Sequence, residues 1–173
     1  MVDGVPVEVF HNPVRKVRAM FAAPDHATVA MFAQGRAALP HPDLTTLVEE
    51  ARAIHAAGPT PRPPTPAERH MWVDEVVEAR SLMGDDLHAL IALNAAGRLM
   101  GALYAARGWW EVKPRAWLRD LERHAAPEAA LLRRVLTAST STERQAALEA
   151  LALAVLPGGL AYAESATDPQ RVP

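Results

Sequence analysis

The chain has 173 residues, half of them apolar, with 20 acidic against 18 basic side chains, a net charge of −2 and no cysteine. A chain of that length buries roughly 70% of the surface it exposes when unfolded, so a self-sufficient core is expected and wholesale disorder is not. Disulfides, thiol catalysis, cysteine zinc sites and iron–sulfur clusters are excluded, and near-neutral charge argues against bulk electrostatic capture of nucleic acid. The opening MVDGVPVEVF carries acids where a signal peptide needs a basic region, and no apolar run approaches the roughly 20 residues of a membrane span. A soluble, unexported, cytoplasmic protein without a membrane role is the expectation. Alanine supplies about a fifth of the chain, which predicts helix, while the scarcity of aromatics predicts little sheet.

Val5-Pro-Val-Glu-Val-Phe10 follows the turn signal Asp3-Gly4, alternates apolar and polar residues, and reads as the one strand. A helix is predicted from Pro13 through Phe21, with Val14, Val17 and Phe21 on one face. A second runs from Ala27 to Leu39 with Val29, Met31 and Phe32 inward. A third runs from Asp43 to Ala57, where Leu44, Leu47, Val48, Ala51 and Ile54 recur at helical spacing and Gly58 ends it. Five prolines between Gly58 and Pro66 preclude helix or central strand and predict a stiff, extended connector. Thr65-Pro66-Ala67-Glu68 then supplies an N-cap, proline at the first helical position and an acid at the third.

The helix so started is predicted to reach Met83, burying Trp72, Val73, Val76 and Val77. Asp85 or Asp86 can cap a longer one to Arg107, in which Leu90, Ile91, Leu93, Leu99, Met100, Leu103 and Tyr104 leave few polar positions. It is the expected central helix of a bundle, and Gly97 and Gly101 would permit close helix contact there. Arg107-Gly108 closes it. After a connector from Trp109 to Lys113, Pro114 starts a helix to His124 and Pro127 another to Ala138. Thr140-Ser-Thr-Glu143 caps a last one that stops at Pro157, and a frayed tail is expected over 158–173.

Several site classes have no support in the motifs. The seven histidines are dispersed; His70 with Asp74 and His88 with Asp85 are spaced as helix-face partners, and no His-Glu-x-x-His or Glu-x-x-His pair occurs. Gly-x-Ser-x-Gly, Gly-x-Gly-x-x-Gly and a phosphate-binding Gly-Lys-Ser/Thr loop are absent. The informative string is Tyr104-Ala-Ala-Arg-Gly108-Trp-Trp-Glu-Val-Lys113-Pro-Arg-Ala-Trp117-Leu-Arg-Asp-Leu121. It resembles a stretch of the helical domain in minimal and antibiotic-modifying nucleotidyltransferases of the DNA polymerase β-like superfamily, similar to Gly-Arg-Trp-Phe-Pro-x-x-Lys-Trp-Leu. Gly108, Trp109, Trp110, Lys113, Trp117 and Leu118 occupy like positions. The strand at Val5–Phe10 is similar to that family's last acidic strand, with Glu8 at its third acidic position.

The resemblance implies a mainly α chain: a short strand remnant of an α/β nucleotidyltransferase core within residues 1–57, a proline-rich linker at 58–66, and a bundle of four or five helices over 65–157. It implies nucleotide or small-molecule substrate binding near Lys113, Trp109 and Trp110, with Arg98 and Arg107 flanking the connector and extending a basic patch. Trp109 and Trp110 suit either packing anchors or base-stacking faces. Glu8 is the one candidate catalytic or metal-holding carboxylate. The family's Gly-Ser and Asp-x-Asp elements, which precede the acidic strand, occur nowhere in the 173 residues. One carboxylate cannot hold the paired divalent metals that clamp phosphates. Mg²⁺ is therefore expected only if the missing catalytic half is supplied, and no transfer is expected in isolation.

Two alternatives stand beside this reading. Arg119-Asp-Leu-Glu-Arg-His124 is similar to the motif of HEPN-type ribonucleases, also helical bundles, in which His124 would act as acid or base and Arg119 would steady the phosphate. The nucleic-acid partner belongs to that alternative alone. The other is a non-catalytic bundle that binds a protein partner or a second copy of itself, since an orphaned strand would have an unpaired edge.

Overall fold

The computed structural model describes residues 11–22 and 26–161. The chain is mainly helical: the described residues form eight α-helices and one 3-10 turn, with no strand among them. The expected strand Val5–Phe10, and Glu8 with it, lies outside the described residues. The chain divides at Pro59–Thr60 into two compact units.

The first unit contains α1 (Val14–Ala22), α2 (His26–Gln34) and α3 (Pro42–Ala57). Its small core joins Val17 and Phe21 of α1, Val29 of α2, and Leu47 and Ala51 of α3, with Phe21 and Phe32 meeting edge to face at 5.5 Å. Arg18 pairs with Glu50 at 2.8 Å. The ring Nδ1 of His41 accepts from the Asp43 N–H and Pro42 occupies the first turn, while Gly58 closes α3 at φ 73°. Two expectations are corrected here. α2 stops at Gln34 rather than Leu39, and Met31 is exposed rather than inward; a nine-residue helix gives α3 one narrow face to cover.

The second unit contains α4 (Pro66–Ser81), α5 (His88–Arg107), a 3-10 turn at Pro114–Ala116, α6 (Trp117–His124), α7 (Ala126–Thr137) and α8 (Ser141–Val155). Capping boxes start α4 at Thr65 and Glu68 and α8 at Thr140 and Glu143, satisfying backbone donors that the first turn of a helix leaves unpaired. α5 runs through the middle, packed against α4, α7 and α8. Ala92, Ala95, Ala96 and Ala102 alternate along it with Leu99, Met100 and Leu103, all buried, and such small side chains let helix axes approach closely. Polar ties cross the same core. Gln145 of α8 donates to the Val76 carbonyl of α4 at 3.2 Å and lies 3.3 Å from buried His88 of α5.

The structure also corrects the expected start of α5. The helix begins at His88, and Asp85 does not cap it; its carboxylate accepts the Leu87 N–H at 2.7 Å. A short polar side chain bonding two residues ahead closes a local turn in competition with the helix. His88 consequently faces Gln145 rather than forming a helix-face pair with Asp85. Leu90 and Leu93 are 55% and 40% exposed, because the neighbouring helices cover the alanine-rich side. By length and composition α5 meets the test for a membrane span, with a mean hydropathy of 1.3 in its best window, contrary to the expectation that no segment does; here it is the core helix of the bundle. The Arg62 N–H of the proline-rich segment bonds the Ala105 carbonyl at 2.8 Å, tying that stretch to the end of α5. Residues 158–161 are held rather than frayed: Arg69 donates to the carbonyls of Pro157 and Gly159, each at 2.7 Å, and Leu160 packs on the core.

Candidate functional site

The end of α5 builds a polar and aromatic corner of the bundle from local rules. Gly108 follows the last helical residue at φ 65°, the left-handed region, where a glycine carries no Cβ penalty. Its N–H reaches the Ala105 carbonyl at 3.3 Å and the Trp109 N–H reaches the Tyr104 carbonyl at 2.9 Å. That bond pair is a Schellman closure, which folds the next side chain back onto the residue five before it. Trp109 accordingly lies edge to face on Tyr104, ring centres 6.1 Å apart.

The reversal brings α6 alongside. Buried Tyr104 donates its hydroxyl to Asp120 at 2.6 Å. Burial first, and the Asp120 carboxylate second, raise the Tyr104 phenol above its ordinary range. The other Asp120 oxygen faces His124 at 3.9 Å, an ion-pair separation too long for a hydrogen bond. The His124 ring lies 5.6 Å from that of Trp109, and the Arg107 guanidinium sits over Trp109 at 5.8 Å, within cation–π range. Arg107 also faces the largely buried carboxylate of Glu128 of α7 at 3.6 Å.

Of the residues singled out in the sequence, Arg107, Trp109 and His124 are therefore brought together. Tyr104, Arg107 and His124 already surround the half-buried Trp109 ring, which gives it the role of an anchor for the corner. Arg98 stands apart from them. It lies about 13 Å down α5 from Arg107 by helical rise, and its guanidinium faces Glu75 of α4 at 3.5 Å. Arg119 and His124 do not converge either, since five residues of α-helix turn them about 140° from one another. Trp110 is half-buried in the connector. Lys113 and Arg119 are exposed, as are Arg115 and Arg123, and none of these four cations has an acidic partner among the described residues. At spacings of four, Arg115, Arg119 and Arg123 lie along the solvent side of the 3-10 turn and α6.

Tyr104, Asp120 and Glu128 are the members of the corner that the motif reading missed. The available signals are the i, i+4 spacing of Asp120 and His124 and the glycine closure that folds Trp109 onto Tyr104. Among the described residues no three histidine or carboxylate side chains converge to hold a metal ion, so these residues do not form the clamp that paired Mg²⁺ would need. Comparison with known proteins finds no family model, no curated protein and no solved structure that matches the chain.

Proposed function

We propose that the chain is the helical, nucleotide-binding portion of a nucleotidyltransferase-like protein, and that it holds the nucleotide's phosphates on the exposed cations of the connector and α6. The observation that carries this is the set Lys113, Arg115, Arg119 and Arg123. Among the described residues these cations have no acidic partner, whereas Arg62, Arg80, Arg98, Arg107 and Arg133 of the same unit each face a carboxylate. An unpaired cation row beside an aromatic connector suits a triphosphate with an attached base. The resemblance of Gly108–Leu118 to the transferase helical stretch supports the same reading. The carboxylates and Mg²⁺ for transfer would come from outside these 173 residues, so the role assigned here is binding.

The ribonuclease alternative draws no support from the placement of Arg119 and His124 on different sides of α6, since its mechanism needs both at one phosphate. Titration calorimetry with ATP, GTP, CTP and UTP at low salt tests the proposal. The expected result is saturable heat with at least one of them, weakened by added salt as exposed charges are screened and weakened about tenfold, or ~1.4 kcal/mol, in Lys113→Ala/Arg119→Ala. Absence of heat with all four nucleotides, or affinity unchanged in the double variant, overturns it. Equal affinity for inorganic tripolyphosphate overturns its nucleotide part and leaves an anion-binding bundle.

A further inference from the structure

A second concavity lies where α4 and α5 meet the start of α6. An open groove of about 610 Å³ runs between α4 and α5, with Glu75 and Glu78 on one wall, Leu93, Asn94 and Arg98 on the other, and Trp117 at its end. The volume falls within the range of small-molecule pockets. Two buried polar atoms in this lining have no partner, the Oε2 of Glu75 and the indole Nε1 of Trp117. Buried side-chain polar atoms are bonded in the large majority of cases, so an unpaired acceptor and an unpaired donor in one groove call for an explanation. The remaining Glu75 oxygen has a single long contact, 3.5 Å to Arg98, whose side chain is 62% exposed and able to swing clear.

We infer that this groove binds a small organic cation, an amidinium, guanidinium or ammonium on a flat apolar body, with the Glu75 carboxylate as its counter-ion. The charge balance favours a cation, because Glu75 and Glu78 outnumber Arg98. Rotation about the terminal torsion of Glu75, which is broad and two-fold, presents either oxygen, and a planar amidinium or guanidinium can bond both at once. Leu93 and the Trp117 ring offer the groove's apolar surface. Burial raises the Glu75 carboxyl above its ordinary value despite Arg98. By contrast Glu68, gripped by Arg62 at 2.6 and 2.8 Å, is pulled down to about 2. Glu75 lacks a close cation of that kind, and the guest supplies one. The groove meets the start of α6 at Trp117, but its charged lining, Glu75, Glu78 and Arg98, includes none of the cations assigned to phosphate binding.

Benzamidine and its neutral counterpart benzamide are the probes, followed on the full chain by the indole N–H resonance of Trp117, which is identified by its loss in Trp117→Phe. Benzamidine is expected to shift that resonance saturably at millimolar concentration or below, while benzamide leaves it in place. Glu75→Gln is expected to weaken benzamidine at least tenfold, with the other three indole resonances unmoved as evidence that the fold persists. Glu75→Asp, which keeps the charge and shortens the arm, is expected to retain part of the affinity. Equal shifts from benzamide, no shift at 10 mM benzamidine, or full affinity in a folded Glu75→Gln chain overturns the inference.

Discussion

Tyr104→Phe tests whether one hydrogen bond organises the corner between α5 and α6. The substitution removes the hydroxyl that donates to Asp120 at 2.6 Å and keeps the ring, so the contact with Trp109 survives. A hydrogen bond to a charged acceptor contributes about 1.5–3 kcal/mol. The Asp120 side chain is 23% exposed, so water reaches the stranded oxygen and the loss belongs near the lower end, about 1.5 kcal/mol. At about 4 °C per kcal/mol for a domain of this size, the melting temperature falls by roughly 6 °C. Circular dichroism melts of the full chain measure it, and near-ultraviolet spectra report whether Trp109 keeps its surroundings. The pH dependence supplies a second check. Because the folded phenol is raised above its ordinary value, its contribution is fully present below the unfolded pKa of about 10 and fades as pH rises beyond it. The gap between wild type and Tyr104→Phe is therefore constant up to about pH 10 and narrows above it. A fall of less than ~1 °C, well under the shift expected for a charge-assisted bond, or a gap still constant at strongly alkaline pH, refutes the assignment.

Four further substitutions probe the bundle. A Cβ at Gly97 would sit 3.7 Å from the Trp117 ring, an ordinary contact, so Gly97→Ala should stabilise by roughly 0.5–1 kcal/mol through helix propensity, read as a higher urea midpoint; a lower midpoint would mean that close approach requires the glycine. Leu148 is fully buried while Leu153 of the same helix is 60% exposed, so Leu148→Ala should cost about 2–5 kcal/mol in urea titrations and Leu153→Ala under about 0.5. Glu75→Gln should melt above wild type at pH 7, because the raised carboxyl pKa means that ionisation is less favourable folded than unfolded. That advantage should vanish below about pH 4, where both states hold the proton, and an advantage unchanged by pH would contradict the burial argument.

The start signals were the most legible part of the fold. Thr65 with Glu68 and Thr140 with Glu143 act within four residues, and the structure uses both as capping boxes. The choice of buried face was less legible. Leu90 and Leu93 are among the residues that leave α5 few polar positions, yet the sequence cannot say that α4, α7 and α8 will cover the alanines and leave these two leucines exposed. Asp85 shows a different limit, because the same carboxylate can cap a helix or close a turn two residues ahead. The energy difference is of the order of one hydrogen bond, and the trajectory out of α4 selects the turn.

The polar corner divides along the same line between near and distant signals. A glycine closing a helix, followed by a large apolar residue, is a local rule. From Gly108 alone it places Trp109 against Tyr104, and so brings the one buried phenol of the chain's central helix to the start of the connector. The acid that accepts its hydrogen bond could not be chosen so simply. Asp120 and His124 share a helix face by spacing, but which side of α6 meets α5 depends on Trp117 and Leu121 packing into a core supplied by four other helices. Arg98 and Arg107, nine residues apart on α5, look equivalent as flanking cations in the sequence. They part because nine residues rotate a helix about 180°, which sends Arg107 to Trp109 and Glu128 and Arg98 to Glu75. That rotation puts the two cations in different surroundings, the Trp109 corner and the carboxylate-lined groove between α4 and α5, so substitutions at Arg107 and at Arg98 report on them separately.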